Sequence, residues 1–296
     1  MSRVDWEELP AELRQAIELR TGRVVSARSV TAGLNASAAL IITTAGNGRL
    51  FLKGVRDDDV AGATALRWES LLNRTVRGVG PTIRHTYRAG GWFCLAFILI
   101  EGRHADMGPR SEDLGAIAFT LRQMQKLRAP QTPVPRFAQR FTAHLKPGEA
   151  EKLAGSHLLH TDTNPHNIMI GDHGGTAYVI DWAMPAVGPS WIDPAYTAVR
   201  LMECGQTPAD ALAWLSGFPH WRRADPRAVE AFVNVICRHW TETVGERGAS
   251  ASNERFRQLL NFSHETTTSH RPGMQRRHRR SFGSSGTSSP LRLHLS

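Results

Sequence analysis

No stretch of this 296-residue chain stays apolar for long. The longest strongly apolar run, Trp92 to Ile100, falls far short of the ~20 residues that a membrane-spanning helix needs. The sequence therefore predicts a protein that does not cross a bilayer. Cysteine is scarce: Cys94, Cys204 and Cys237 are the three present, an odd number at wide spacing. They form neither a disulfide framework nor a zinc-ligand pattern. The opening residues, Met1 to Glu8, carry acids where a secretory leader needs an apolar segment, so a cytoplasmic location is expected.

Acidic residues are outnumbered by basic ones, 27 against 36, and the net charge is +9. Much of that excess sits at one end. Residues 271–296 hold Arg271, Arg276, Arg277, Arg279, Arg280 and Arg292 without a single acid, and setting these six aside leaves 30 basic against 27 acidic residues. The end is rich in Ser, Gly, His and Arg and has too little apolar surface to fold alone. Residues 264–296 are accordingly expected to be a disordered basic tail. Contact with nucleic acid is expected, if anywhere, through that tail alone.

What the sequence does contain is a sheet followed by helices. Leu9, Leu13, Ala16 and Ile17 recur at helical spacing before Gly22, which predicts a first helix over about residues 8–20. The runs Val24 to Ala27, Ala38 to Thr43 and Leu50 to Leu52 read as strands, the last two joined by Ala45-Gly46-Asn47-Gly48. Asp57, Asp58 and Asp59 favour a helix N-terminus, and a helix is expected from about Val60 to Val76. On its wheel Ala65, Leu66, Leu72 and Val76 share an arc, with Glu69 in the middle. A carboxylate there is expensive unless it meets a cation, or else the helix is turned slightly and Glu69 is an ordinary surface residue. Apolar runs at Pro81–Tyr87 and Trp92–Ile100 complete an antiparallel sheet that Glu101-Gly102 ends. A helix follows from Ser111, read as its N-cap, to Leu127, and further helices are expected near 208–216, 226–244 and 253–263.

One stretch carries chemistry. Leu158 to Ile170, the turn Gly171-Asp172-His173-Gly174-Gly175-Thr176 and Ala177 to Trp182 read as a loop followed by a β-hairpin. Asn167 precedes its first strand and Asp181 follows its second, so the two side chains converge. An amide oxygen and a carboxylate at the open end of a hairpin suit a hard cation such as Mg²⁺, shared with phosphate oxygens. Asp162, five residues before Asn167, stands where it can orient or deprotonate a hydroxyl. The spacing His160-x-Asp162-x4-Asn167 has the form of a kinase catalytic loop.

With these residues the sequence resembles the aminoglycoside phosphotransferase and choline kinase family, the small-molecule branch of the protein-kinase-like fold, over roughly Val25 to Met202. The resemblance implies an α+β fold of two lobes: a sheet-rich N-lobe over residues 1–100 and a larger helical C-lobe over 101–263. It implies that Lys53 holds nucleotide phosphates and that Glu69 is its helix partner. The segment Thr31 to Ser37, with Gly33 as its one glycine, resembles the phosphate-covering turn, and Phe97 to Gly102, with Glu101, resembles the hinge that meets the purine. Asp162 is implied as the catalytic residue, Asn167 and Asp181 as metal ligands, and His160 as a brace of the loop. Asp193 is implied as the anchor of the same loop, while the pair Asp193-Pro194 also reads as a helix N-cap and first helical residue.

Asp181 is followed by Trp182-Ala183, and eleven residues separate it from Asp193, which leaves no room for a long peptide-docking segment. The expected reaction is therefore transfer of the γ-phosphoryl group of ATP or GTP, with Mg²⁺, to a hydroxyl of a small molecule: an aminoglycoside-like, amino-alcohol or sugar acceptor. Acids that might meet a cationic acceptor are Glu203, Glu242, Glu246 and Glu254. Trp191, Trp214, Trp221 and Trp240 could stack on a ring or simply pack the core. The competing expectation is a non-catalytic, nucleotide-binding scaffold that kept the fold, motivated by the glycine-poor turn at 31–37.

Overall fold

The computed structural model describes residues 3–30 and 36–268. Gly33 and residues 269–296 lie outside the described residues, while residues 264–268, expected as the start of the tail, continue the last helix. The chain opens with a 3-10 turn and α1 (Ala11–Thr21), then β1 (Val24–Ser29), β2 (Ala38–Thr44), β3 (Gly48–Arg56), α2 (Val60–Leu72), β4 (Ile83–Ala89) and β5 (Trp92–Ile98). These strands form one antiparallel sheet in the order β1-β2-β3-β5-β4.

Alternation along the strands divides the sheet into two faces. Trp92, Cys94 and Ala96 of β5 pack with Leu40, Ile42, Leu50 and Leu52 under Leu13 and Ile17 of α1. Phe93, Leu95 and Phe97 face the other way, with Val55 of β3 and Leu66 of α2. β5 is buried on both faces, which explains its unbroken apolar run. Lys53 falls on the α2 face, where a cation needs a partner.

The second lobe begins with β6 (Gly102–His104), which pairs with β8 (Ile168–Gly171). Gly102 is required there: a Cβ at this position would lie 2.0 Å from the Ile170 carbonyl oxygen. The sequence places the end of the sheet at Glu101-Gly102, and the structure instead starts a new strand, because backbone pairing with a partner some seventy residues away leaves no local signature. Then come α3 (Leu114–Met124), a kinked 3-10 segment (Phe137–His144), α4 (Glu149–Lys152), β7 (His157–Leu159), β8, β9 (Ala177–Val179), β10 (Ala186–Gly188), α5 (Ile192–Glu203), α6 (Pro208–Ser216), α7 (Pro219–Arg222) and α8 (Pro226–Thr268), which breaks at Gly245.

Ser111 does not cap α3. Its hydroxyl accepts from the Asp113 amide at 3.2 Å and the helix starts only at Leu114. α2 likewise ends at Leu72 rather than Val76. One large apolar core, reaching from Leu72 to Leu259, unites α3, α5, α6 and α8 with the β8–β9 hairpin. Ile168, Ile170, Ala177 and Val179 fix that hairpin against Ile117 and Leu121, and the Thr120 hydroxyl donates to the Ala177 carbonyl at 2.8 Å. The architecture is the α+β, two-lobed one that the sequence predicts, a sheet-rich first lobe and a larger, mainly helical second one.

Candidate active site

Lys53 and Glu69 lie on neighbouring elements of the first lobe. Asp181 comes from the second. The Lys53 ammonium donates to Glu69 Oε1 at 2.6 Å and to Asp181 Oδ1 at 2.7 Å. Glu69 is 5% and Lys53 8% exposed, so the carboxylate on the apolar arc of α2 is a buried ion-pair partner and not a surface residue. Burial alone pulls the lysine pKa down; Glu69 and Asp181 outweigh it and hold it above the ordinary lysine value.

The hairpin closes as the pattern predicts. Ile168 pairs with Val179, and the Ile180 amide donates to the Asn167 carbonyl at 2.8 Å, which sets Asn167 and Asp181 at the same end. Asp181 takes a left-handed backbone conformation, φ +62°, uncommon for a residue with a side chain. The Asn167 side-chain nitrogen donates to the Asp162 carbonyl at 2.9 Å and to Asp162 Oδ2 at 3.0 Å. Among the described residues neither Asn167 Oδ1 nor Asp181 Oδ2 meets a hydrogen-bond donor. One neutral and one charged oxygen are thus unengaged at one cleft, a donor set that fits a hard divalent cation.

Around Asp162 the loop is held from several sides. The buried Asp193 carboxylate accepts from the amides of His160 at 2.9 Å and Thr161 at 2.8 Å. Burial pushes its carboxyl pKa up, while His160, these amides and Arg140 oppose the shift. His160 Nε2 donates to the Ile180 carbonyl at 2.9 Å, its Nδ1 accepts from the Asp162 amide at 3.3 Å, and its ring meets Trp182 edge-on. With both nitrogens engaged, this histidine braces the loop. Asp193 is not the helix N-cap: α5 begins at Ile192 after Trp191, because the Asp193 oxygens are committed to the loop.

Asp162 itself is one-third exposed. Its Oδ1 accepts from Asn164 Nδ2 at 2.9 Å, and Arg200, which pairs with Glu203 at 2.6 Å, stands 3.8 Å away. Asn164 was not singled out by the sequence; Asn164-Pro165 carries a helix-start signature, and the Asn164 side-chain oxygen Oδ1 does accept from the His166 amide at 2.8 Å. That signature gives no sign of the second bond to Asp162.

Lys53, Glu69, Asn167 and Asp181 line the inner end of a 320 Å³ cleft between the lobes. Ile41, Phe51, Phe97, Met169 and Ile180 supply apolar walls, and residues 98–102 form its edge. Glu101 turns its side chain to Arg49, 2.6 Å away, at the mouth. The backbones of Leu99 and Ile100 make no hydrogen bond among the described residues, so their donors and acceptors are available to a planar ligand. The other candidates gather elsewhere. Glu242 pairs with His144 at 3.0 Å, and Trp191 and Trp221 meet edge to face in the core.

A model of the phosphotransferase enzyme family matches residues 104–227, which include Asp162, Asn167, Asp181 and Asp193 but not Lys53 or Glu69. The resemblance to small-molecule phosphotransferases read from the sequence is thereby borne out. No curated protein matches the sequence. Among solved structures the chain is similar to an aminoglycoside phosphotransferase from Alicyclobacillus acidocaldarius, at 14% identity over 89% of this chain and 99% of that one, with a TM-score of 0.55. It is also similar to a putative fructosamine-3-kinase from Thermobifida fusca, at 18% identity over 84% and 98%, TM-score 0.53. An ethanolamine kinase from Plasmodium vivax matches at 10% identity over 80% and 82%, TM-score 0.50. At these identities the likeness is one of fold.

Proposed function

We propose that this chain, similar to the phosphotransferase enzyme family in sequence and to small-molecule kinases in fold, transfers the γ-phosphoryl group of ATP or GTP to a hydroxyl of a small molecule. The observation that carries the reading is the convergence on one cleft of Lys53, Glu69, Asn167 and Asp181, with Asp162 hydrogen-bonded to Asn167 beside it. In it, residues 1–100 act as the nucleotide-covering lobe and residues 101–263 as the lobe that takes the acceptor.

Each residue then has a physical task. The purine lies between the apolar walls and meets the backbone of residues 98–102, with Glu101 at the edge. Lys53, kept charged and held in place by Glu69, neutralises phosphate oxygens and gives up part of its contact with Asp181 to do so. Asn167 Oδ1 and Asp181 would hold Mg²⁺, which when bound offsets the charge on the transferring group. Asp162, fixed by Asn164 and Asn167, accepts the hydrogen bond of the acceptor hydroxyl, aligns its oxygen and takes its proton as the new O–P bond forms and the bond from the γ-phosphorus to the bridging oxygen breaks, the nucleoside diphosphate leaving. His160 and Asp193 keep the loop in that geometry.

Acceptor choice stays with the small, hydroxylated class. A polycationic acceptor calls for free carboxylates near Asp162, yet Glu203 is paired with Arg200 and Glu242 with His144. The test is ATP and GTP consumption with Mg²⁺ against pools of aminoglycosides, amino alcohols, sugars and nucleosides, with Asp162→Ala as control. Acceptor-dependent turnover that the variant abolishes supports the reading. Nucleotide binding without turnover in any pool favours the non-catalytic scaffold, and absence of nucleotide binding removes both.

A further inference from the structure

Thr161, the residue before Asp162, has φ +69°. The left-handed region is where glycine belongs, and a β-branched side chain there is strained. Something must hold it. Its amide is fixed by Asp193, and its hydroxyl donates to the Met184 carbonyl at 2.9 Å. The same hydroxyl accepts from Arg140 Nη1, while Arg140 Nη2 donates to the carbonyls of Met184 and, at 2.8 Å, Pro185.

Arg140 arrives from far away in sequence. It sits on the kinked 3-10 segment Phe137–His144, which Phe137 and Phe141 anchor in the core against Tyr196 and Phe232. The segment's entry is tied to β10, the Val187 amide donating to the Pro135 carbonyl at 2.9 Å. The guanidinium is half-buried and its hydrogen-bond acceptors are neutral oxygens; no carboxylate pairs with it among the described residues. Burial works against such a cation, and the carboxylates of Asp193 and Asp162 act on it only through space. The fork of an arginine, which a lysine cannot reproduce, is what reaches three acceptors on two segments at once.

We propose that Arg140 is a positioning residue: it clamps Thr161 in its strained conformation against Met184 and Pro185, and so sets Asp162 and Asp181 relative to each other. Thr161 precedes Asp162 by one residue, and Met184 follows Asp181 by three. One side chain thus spans the two segments that carry the groups proposed to meet the acceptor hydroxyl and the phosphates. The inference rests on the phosphotransfer reading above for its functional consequence. The clamp itself does not depend on it.

The test compares Arg140→Lys, Arg140→Ala, Thr161→Gly and the double variant Arg140→Ala with Thr161→Gly. Loss of the clamp is expected to lower kcat by about 100-fold in Arg140→Ala, the scale of a misplacement near 1 Å, and less in Arg140→Lys, with nucleotide Kd changed by no more than about two-fold. Glycine takes φ near +70° without help, so the double variant should recover much of the lost kcat. Exchange protection of the His160 and Thr161 amides, read by hydrogen exchange, should fall in Arg140→Ala while the melting temperature stays well above the assay temperature. This second readout needs no acceptor, so a chain that turns nothing over defeats the functional reading and leaves the clamp measurable. Unchanged kcat and unchanged protection overturn the proposal. So does a loss of turnover that follows global unfolding and that Thr161→Gly does not relieve.

Discussion

Asn167 donates one side-chain nitrogen to both the carbonyl and the carboxylate of Asp162, at 2.9 and 3.0 Å, leaving its own side-chain oxygen for the cleft. Two proposed tasks, holding a cation and fixing the residue that meets the acceptor, therefore share one amide. The amide matters because its two ends differ.

Substitution separates them. Asn167→Asp keeps an oxygen towards the cleft but sets a second carboxylate against Asp162 Oδ2, replacing an attraction with a repulsion. The expected outcome is a kcat lower by about 100-fold with Mg²⁺-nucleotide affinity nearly kept. Asn167→Ala removes both ends and should lose affinity as well. Steady-state kinetics beside calorimetric nucleotide titration checks the split; a kcat retained in Asn167→Asp means that the bond to Asp162 plays no part in turnover.

Lys53 gives a prediction about stability as well as rate. Its ammonium is the cation between Glu69 and Asp181, and Glu69 is almost fully buried. Lys53→Met leaves that carboxylate without its partner and should destabilise the fold by about 3 to 5 kcal/mol. The double variant Lys53→Met with Glu69→Leu removes the stranded charge and should regain most of the loss, though not turnover. Urea unfolding of Lys53→Met, Glu69→Leu and the double variant, read as a coupling between the positions, decides it. Additive losses would show that the pair makes no energetic unit.

How much of this was legible in the sequence depends on how local each signal is. Alternation and turn residues marked all five strands of the large sheet, and Glu69 betrayed itself by sitting on an apolar arc. The Asn167–Asp181 convergence followed from the hairpin, since the turn between Gly171 and Thr176 fixes which ends meet. Arg140 carried no signal: it stands in the non-periodic stretch after Pro135, and packing of Phe137 and Phe141 against α5 and α8 brings it to a loop twenty-one residues on. β6 was invisible for the same reason, being three exposed residues whose partner strand is remote. Asp193 was legible as an oxygen acceptor with two targets left open, a helix N-terminus and the loop around Asp162, because a capping Asp-Pro pair and a loop anchor look alike until the tertiary fold brings up the two amides of His160 and Thr161.

The junction between β6 and α3 should respond to acid. Asp113 is 6% exposed; its carboxylate takes both arms of Arg103, at 2.6 and 2.8 Å, and the Asp106 amide at 2.8 Å. The Arg103 hydrogen bonds, against the opposing effect of burial, hold its carboxyl pKa below the ordinary aspartate value. A carboxyl lowered on folding contributes stability that is present in full above its unfolded pKa and is lost as pH falls through its folded one. Asp113→Asn should thus lower Tm at neutral pH by roughly 3 °C, the effect of losing charged hydrogen bonds in a chain of this size. That deficit should shrink only in acid below the usual carboxylate range, where the wild-type group is protonated too. Calorimetric scans of both proteins at neutral pH and in that acid range give the answer: a Tm gap that does not narrow with acid would mean that Asp113 acts through shape and not through charge.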